Sequence, residues 1–329
     1  MGDRATMSAV VQHRYGAVAS EVLSLDRIPV PTPGDGEALV RVRAAGVDRG
    51  TAHLMAGRPL VIRPWFGLRG PRQPVPGMDL AGVVEAVGAE GSGLTPGDEV
   101  FGIGRGTCAE LAVAPVAKLV RRPEHVPWEQ AGAATISGIT ALQAVRHEAE
   151  VQGGERVLVL GASGGVGTFA VQIARSAGAR VAGVCSGAKA DLVSSLGAED
   201  VYDHADDEWM GAGPFDVVLD IGGNNSLRTL RRVLTERGRL VVVGGEGGGP
   251  LLGGIDRQMR ASMLSPFVRQ SLGFFVSKEA KTDIQALGDL LAAGDVVTSI
   301  GQVYPLGRTA EAIDEMLAGR ARGKLVVMP

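Results

Sequence analysis

The run Gly161-Ala162-Ser163-Gly164-Gly165-Val166-Gly167 concentrates the residue types best suited to hold a phosphate ester. Apolar Arg156-Val157-Leu158-Val159-Leu160 precedes it and Thr168-Phe169-Ala170-Val171-Gln172-Ile173-Ala174, helical in character, follows. A strand that turns sharply into a helix needs residues without bulky side chains, and the helix then offers free N–H groups to a pyrophosphate. The first position is alanine, so the match is Ala162-x-Gly164-x-x-Gly167. Its context, with a second strand at Arg180–Cys185 one βαβ unit on, points to dinucleotide binding rather than a ligand-free tight turn.

That second strand ends in Cys185-Ser186-Gly187-Ala188-Lys189, and no acidic residue lies between Glu155 and Asp191. A site for NAD usually offers Asp or Glu to the ribose 2′-hydroxyl. A hydroxyl and an ammonium suit a 2′-phosphate, which an acid would repel. The expected cofactor is NADP(H); the alternative is that Ser186 and Lys189 only cap and solvate the next helix.

These residues need a scaffold, and 329 residues imply two domains. The 45% hydrophobic and 21% charged content is that of a chain able to bury a core, and a net charge of −3 gives no general pull toward nucleic acid or anionic membrane. Cys108 and Cys185 are the two cysteines, which excludes a disulfide framework or a four-thiolate zinc lobe and fits a cytoplasmic location. No signal peptide or membrane span is read, and residues 1–6 are an extension ahead of a strand-like segment from Met7. Ala38–Arg43, Leu80–Val87 and the run after the Pro96-Gly97-Asp98 turn predict short strands of an antiparallel, barrel-like domain. From Trp128–Arg146, a helical stretch, the pattern becomes a β-α alternation through Arg156–Leu160, Arg180–Cys185, Val217–Ile221 and Leu240–Val243. This predicts a parallel, doubly wound sheet. Gly245–Gly254 is expected to be a loop against a ligand or interface. The helix Lys281–Ala293 and the strand Lys324–Met328 are expected to rejoin the first domain.

Several segments, in this order, resemble the medium-chain dehydrogenase/reductase superfamily, in its zinc-free quinone oxidoreductase-like branch. They are Arg43-Ala44-Ala45-Gly46-Val47-Asp48, Pro76-Gly77-Met78-Asp79-Leu80-Ala81-Gly82, Gly97-Asp98-Glu99-Val100, Ser137-Gly138-Ile139-Thr140-Ala141, the dinucleotide turn, Leu196-Gly197-Ala198-Glu199, Arg237-Gly238-Arg239-Leu240-Val241 and Gly323-Lys324-Leu325-Val326. The resemblance implies an α/β fold. A catalytic domain of residues 1–125 and 270–329, barrel-like and mostly antiparallel, joins a Rossmann domain of residues 126–269. It further implies that Thr140, Phe275 and Lys324 lie at the nicotinamide end, that Ser186, Lys189 and His204 face the adenosine phosphate, and that Gly222 and Gly244 follow strands at the ligand edge. His204 stands where the family commonly has Tyr. A homodimer is implied as well.

Zinc-dependent members of the superfamily have ligands at the positions of Asp48, Met78 and, by this alignment, Ala133. A thioether is a poor zinc ligand and a methyl group is none, so no metal is expected. Hydride transfer then needs an acceptor that is already electrophilic, a quinone or an α,β-unsaturated carbonyl. Asp48 and His53 are the candidate catalytic residues on a short helix, with His53 able to protonate a developing enolate or hydroquinone. Against this, Asp48 could cap that helix while His53 packs, the proton coming from solvent. Arg58, Arg63, Arg69 and Arg72 flank Trp65 and Phe66 in an acid-free segment suited to a planar or anionic small molecule, or to a lid or dimer contact. The alternative to an NADPH-dependent reductase is a cofactor-binding protein of the same fold with lost or altered redox chemistry, in a regulatory or biosynthetic tailoring role.

Overall fold

The computed structural model describes residues 5–88, 93–245, 249 and 251–329. Residues 1–4 of the expected N-terminal extension, and residues 246–248 and 250 of the glycine-dense loop, lie outside the described residues. The chain divides into two compact units, Met1–Ser137 with Glu279–Pro329, and Gly138–Lys278.

The first unit opens with strands β1 (Thr6–Gln12) and β2 (Leu23–Pro29), an antiparallel pair. It continues with β3 (Glu37–Val47), β4 (Asp79–Val87), β5 (Glu99–Ile103), β6 (Leu111–Pro115) and β7 (Leu119–Arg121). Ala38, Val40 and Val42 are buried while Arg43 is exposed, the two-residue alternation that lets one face of β3 meet a core. Val40, Val42, Leu80, Val84, Val100 and Leu119 form that core.

The second unit contains β8 (Arg156–Leu160), β9 (Arg180–Cys185), β10 (Asp200–Asp203), β11 (Phe215–Asp220), β12 (Leu234–Val242) and β13 (Ser271–Phe274). They form one six-stranded sheet in the order β10-β9-β8-β11-β12-β13, with every neighbouring pair parallel. The boundaries of β8 and β9 are those expected from sequence; β10 and β13 were not foreseen. Each is a four-residue edge strand, too short to show a period.

The last stretch returns to the first unit. β14 (Ile300–Pro305) pairs parallel with β15 (Lys324–Met328), and β15 pairs antiparallel with β3. The sheet order is therefore β14-β15-β3-β4-β5-β7, with β6 beside β3, and all but the first pair are antiparallel. The helix Lys281–Ala293 packs on this unit, where Gly288 leaves room for Phe101: a Cβ there would lie 3.4 Å from the ring. Phe101 is fully buried. Phe101→Ala is expected to lower the stability of the first unit by about 3–5 kcal/mol. Urea denaturation checks this, and a loss under about 1 kcal/mol would contradict a core role for the ring.

Candidate functional site

In the second unit, β8 runs into the glycine turn and the helix Gly165–Ser176 starts from Gly164 with no side-chain cap. Its first-turn N–H groups therefore lack partners within the helix, the arrangement that receives an anion. Gly161 adopts φ +85°, which favours glycine. A Cβ on Gly167 would lie 2.1 Å from Gly161 O and 2.8 Å from Ala162 Cα, so close helix–strand passage forbids any side chain there. Ala162 and Ser163 are buried beneath the turn, while Gly164, Gly165 and Val166 are half-buried.

The neighbouring strand ends reinforce this edge. Gly222 N donates to Leu160 O at 3.0 Å, and Gly244 N donates to Asp220 O at 3.1 Å. A Cβ on Gly244 would meet Ile221 O at 2.0 Å. Gly161, Gly222 and Gly244 thus follow three adjacent parallel strands at their carboxyl ends, where open sheets bind ligands. Arg257, which sequence reasoning missed, fixes the loop between them. It pairs with buried Asp220 and donates to Asn225 O at 2.9 Å and Gly223 O at 3.1 Å. Burial pushes the Asp220 carboxyl upward against that guanidinium. Half-buried Thr140 lies in the helix Thr135–Leu142, and Phe275 directly follows β13.

Ser186 and Lys189 bound a single turn after β9, with Lys189 N donating to Ser186 O at 2.8 Å. The acid-free window proves to be a property of the sequence and not of the site. Asp203, at the end of β10, accepts from Gly187 N at 2.7 Å and Ala205 N at 2.9 Å. These two backbone hydrogen bonds and the adjacent His204 hold its carboxyl below the usual range. His204 is exposed, with Nδ1 3.2 Å from Cys185 O. The fold therefore gathers Ser186, Lys189 and His204 around one carboxylate that the sequence window did not contain.

In the first unit, Asp48 is the N-cap of the helix Arg49–Ala56, and its carboxylate accepts from Thr51 N at 2.7 Å. Its second oxygen, Oδ2, is buried without a partner, as are Thr51 Oγ1 and Thr107 Oγ1. His53 is half-buried and has an interaction partner. Gly46 packs on Ala133 and Asp79, and a Cβ on Gly50 would meet Met78 Cε and Asp48 Oδ1, so Asp48 and Met78 lie together while Ala133 lies against β3. Among the described residues, no group of three or more His, Cys, Asp or Glu side chains is placed to hold a metal.

Behind them lies a buried ion pair. Lys324, 2% exposed, donates to Asp79 Oδ2 at 3.3 Å and to Ser137 Oγ at 3.1 Å, and Ile136 N donates to Asp79 Oδ1 at 2.7 Å. Burial pushes the Asp79 carboxyl up to about 6, with Lys324 pulling it down and Asp48 adding to the rise. Burial also pushes the Cys108 thiol up to about 12, so it is no thiolate near neutral pH.

A cavity of about 350 Å³ opens in the same unit. Thr51, Leu54 and Met55 reach it from the helix, with Met78, Ile103 and Gln12 among the other lining residues. Asp48 and His53 do not line it. The arginine-rich segment contributes Phe66 and Pro71 but none of its arginines. Arg63 stacks 4.6 Å from the Tyr15 ring and donates to Gly57 O, while Arg72 donates to Trp65 O and Pro64 O. Two of the four arginines thus hold their own loop together, and an anion-recognising role for the segment finds no support in the cavity.

Comparison with known proteins agrees with this architecture. Residues 34–124 match the alcohol dehydrogenase GroES-like domain and residues 196–327 match the zinc-binding dehydrogenase family. The quinone oxidoreductase of Pongo abelii is 33% identical over 342 residues, covering 98% of each chain. Among solved structures, the quinone oxidoreductase from Coxiella burnetii superposes with a TM-score of 0.86 at 25% identity, over 99% of this chain and 100% of that one. A cobalt- and zinc-bound alcohol dehydrogenase from Pyrobaculum aerophilum gives 0.81 at 28%, over 99% and 100%. The chain belongs to the medium-chain dehydrogenase/reductase superfamily of oxidoreductases, in its quinone oxidoreductase-like branch. Among the described residues, no helix is long and apolar enough to cross a membrane.

The Asp79–Lys324 pair generates a pH-dependent prediction. Asp79 titrates higher in the folded chain than in the unfolded one, so the folded state tolerates it best when protonated, and its contribution is lost as pH rises through about 6. Lys324→Met removes the counter-charge and raises that titration further. The substitution should cost about 3–5 kcal/mol at pH 8, where a lone carboxylate is stranded in the interior, and much less at pH 5. Chemical denaturation at both pH values checks this; an equal penalty at the two would contradict it.

Proposed function

We propose that the chain is an NADPH-dependent reductase that transfers hydride without zinc to an activated acceptor, a quinone or an α,β-unsaturated carbonyl. The observation that carries this reading is the chemistry of Asp48, Met78 and Ala133, with Asp48 and Met78 close together and Met78 lining a mostly apolar cavity. A capping carboxylate, a thioether and a methyl group do not make a site for a Lewis-acid metal. An oxidoreductase lacking that means of polarising a carbonyl needs an acceptor whose receiving carbon is already electrophilic. The names of the curated relatives favour quinones as one such class.

In this reading the unit Gly138–Lys278 binds the dinucleotide and the other unit holds the substrate. The first-turn N–H groups from Gly164 to Gly167 receive the pyrophosphate, with Ala162, Ser163, Gly222 and Gly244 leaving the room it needs. Ser186, Lys189 and His204 hold the 2′-phosphate, and Asp203 keeps their turn in shape through Gly187 N. Thr140 and Phe275 border the nicotinamide. Lys324 acts from behind, fixing Asp79 and Ser137. When bound, NADPH supplies a hydride that, with one proton from the medium, reduces a C=C bond or a quinone.

The cavity walls orient the acceptor. Because neither Asp48 nor His53 lines the cavity, the proton comes from water rather than from either side chain. Asp48 acts instead as the cap that positions Thr51, Leu54 and Met55.

Steady-state consumption of NADPH and NADH with a panel of enones and quinones tests the reading. NADPH should be preferred by at least about 100-fold in kcat/KM. Lys189→Ala should weaken NADPH by about 10–100-fold while barely changing NADH, since loss of a charged hydrogen bond is worth about 1.5–3 kcal/mol. A preference for NADH would make Asp203 the ribose-binding acid and reverse the assignment; no turnover with any acceptor would end it. For the proton, His53→Gln should leave kcat within about threefold and its pH profile unmoved, against the 10²–10⁴-fold expected of a general acid.

A further inference from the structure

Gln12 ends β1, is 3% exposed, and still lines the cavity. Its amide nitrogen donates to Met55 O at 2.6 Å and to Arg14 O at 2.8 Å. An amide oxygen in that place would face two carbonyl oxygens, so these acceptors fix which end of the amide is which. Both N–H groups are occupied, and among the described residues nothing donates to Gln12 Oε1. The other lining groups make this oxygen conspicuous. Leu54, Met55, Phe66, Val75, Met78 and Ile103 present carbon. At the rim, Arg105 is paired with Glu37 and Lys118 with Glu279, so neither cation is left to attract an anion. A ligand filling this space meets mostly carbon, with Gln12, Thr51 and Gln73 among the polar lining residues and the Gln12 amide held in place by two backbone carbonyls.

We infer that the site takes neutral, largely apolar carbonyl compounds that carry a hydroxyl group, and that Gln12 Oε1 accepts the hydroxyl hydrogen. The inference rests on the reductase reading and specifies which acceptors it prefers. A ligand that fills the cavity without a donor strips Oε1 of water and returns nothing, which penalises it relative to a hydroxylated one.

Two planar enones test this: 4-(4-hydroxyphenyl)but-3-en-2-one and its methyl ether. They share the electron-donating oxygen on the ring and differ in the O–H donor, so intrinsic reactivity is matched. At pH 7, where the phenol is neutral, wild-type kcat/KM should favour the phenol by about tenfold, the value of roughly one hydrogen bond. Gln12→Met should bring the two within about twofold. Equal rates in the wild type, or an unchanged ratio in Gln12→Met, overturn the inference and leave the reductase reading intact. If no enone or quinone turns over, the reductase reading fails separately. Equilibrium binding of the same two compounds then decides the role of Gln12: a phenol preference lost in Gln12→Met supports it, and parity overturns it. If Gln12→Met does not fold, Gln73→Leu and Thr51→Val, which remove two other uncharged side-chain acceptors of the lining, should retain the preference. Its loss in either variant overturns the assignment.

Discussion

A lysine ammonium and an aspartate carboxylate, both withdrawn from water, close the first unit. Lys324 comes from the last strand, β15, and Asp79 from the start of β4, so the pair joins segments 245 residues apart. Such a pair repays its desolvation only when the remaining donors and acceptors are satisfied. Here Ser137 Oγ takes one ammonium hydrogen and Ile136 N satisfies the other carboxylate oxygen. Those two partners occupy the point where the chain leaves the first unit for the second. The interaction therefore fixes the departure of the chain and the docking of its return in one place. Gly46 completes it: a Cβ there would press within 2.8 Å of Asp79 Oδ2 and 2.7 Å of Ala133 Cα, so β3 can lie against the pair only as glycine.

The same economy of volume shapes the second unit. Gly161, Gly167 and Gly244 bring strand ends, turn and helix so close that backbone atoms fill the space side chains would take. What remains at that edge is the positive end of a helix dipole. Arg257, paired with buried Asp220, ties down the loop of Gly223 and Asn225 next to it.

Much of this was legible in the sequence because it is local. The glycine turn, β8, β9, β15 and the helix Lys281–Ala293 each carry their period or punctuation within a dozen residues. The capping role of Asp48 was also visible, since a carboxylate three residues before an amide is a helix-start signal. What the sequence concealed depends on pairing between distant segments. Asp203 reaches the Ser186–Lys189 turn because β10 lies parallel to β9, bringing Asp203 opposite Cys185. The carboxylate is thus absent from the sequence window and present in space. Gln12 gave a weak sign, a polar residue ending the apolar run Ala9-Val10-Val11. Only the fold shows that Met55 and Arg14 claim its nitrogen. The arginine-rich segment stayed open between a ligand-recognising loop and a lid or dimer contact, because a charge run does not say whether its members face a ligand or, like Arg63 and Arg72, their own loop.

These placements bear on how such a scaffold divides binding from chemistry. In a metal-dependent arrangement the positions of Asp48, Met78 and Ala133 would supply the strongest electrostatic field near the substrate. Here Asp48 supplies a helix cap, Met78 a thioether near Gly50, and Ala133 its backbone against Gly46. Nearby, Asp79 and Lys324 compensate one another, Cys108 is held protonated, and the Asp48 carboxylate caps its helix. The cavity proposed to hold the substrate is walled mostly by carbon. A wall of that kind cannot stabilise developing charge, so its contribution must be shape, desolvation and position. Selectivity then falls to whichever fixed polar atoms interrupt the carbon surface, because each one is costly to cover without a partner. In the proposed reductase, the residues at Asp48, Met78 and Ala133 and the mostly apolar cavity fit together: reactivity belongs to the acceptor, and the protein decides which acceptor is admitted.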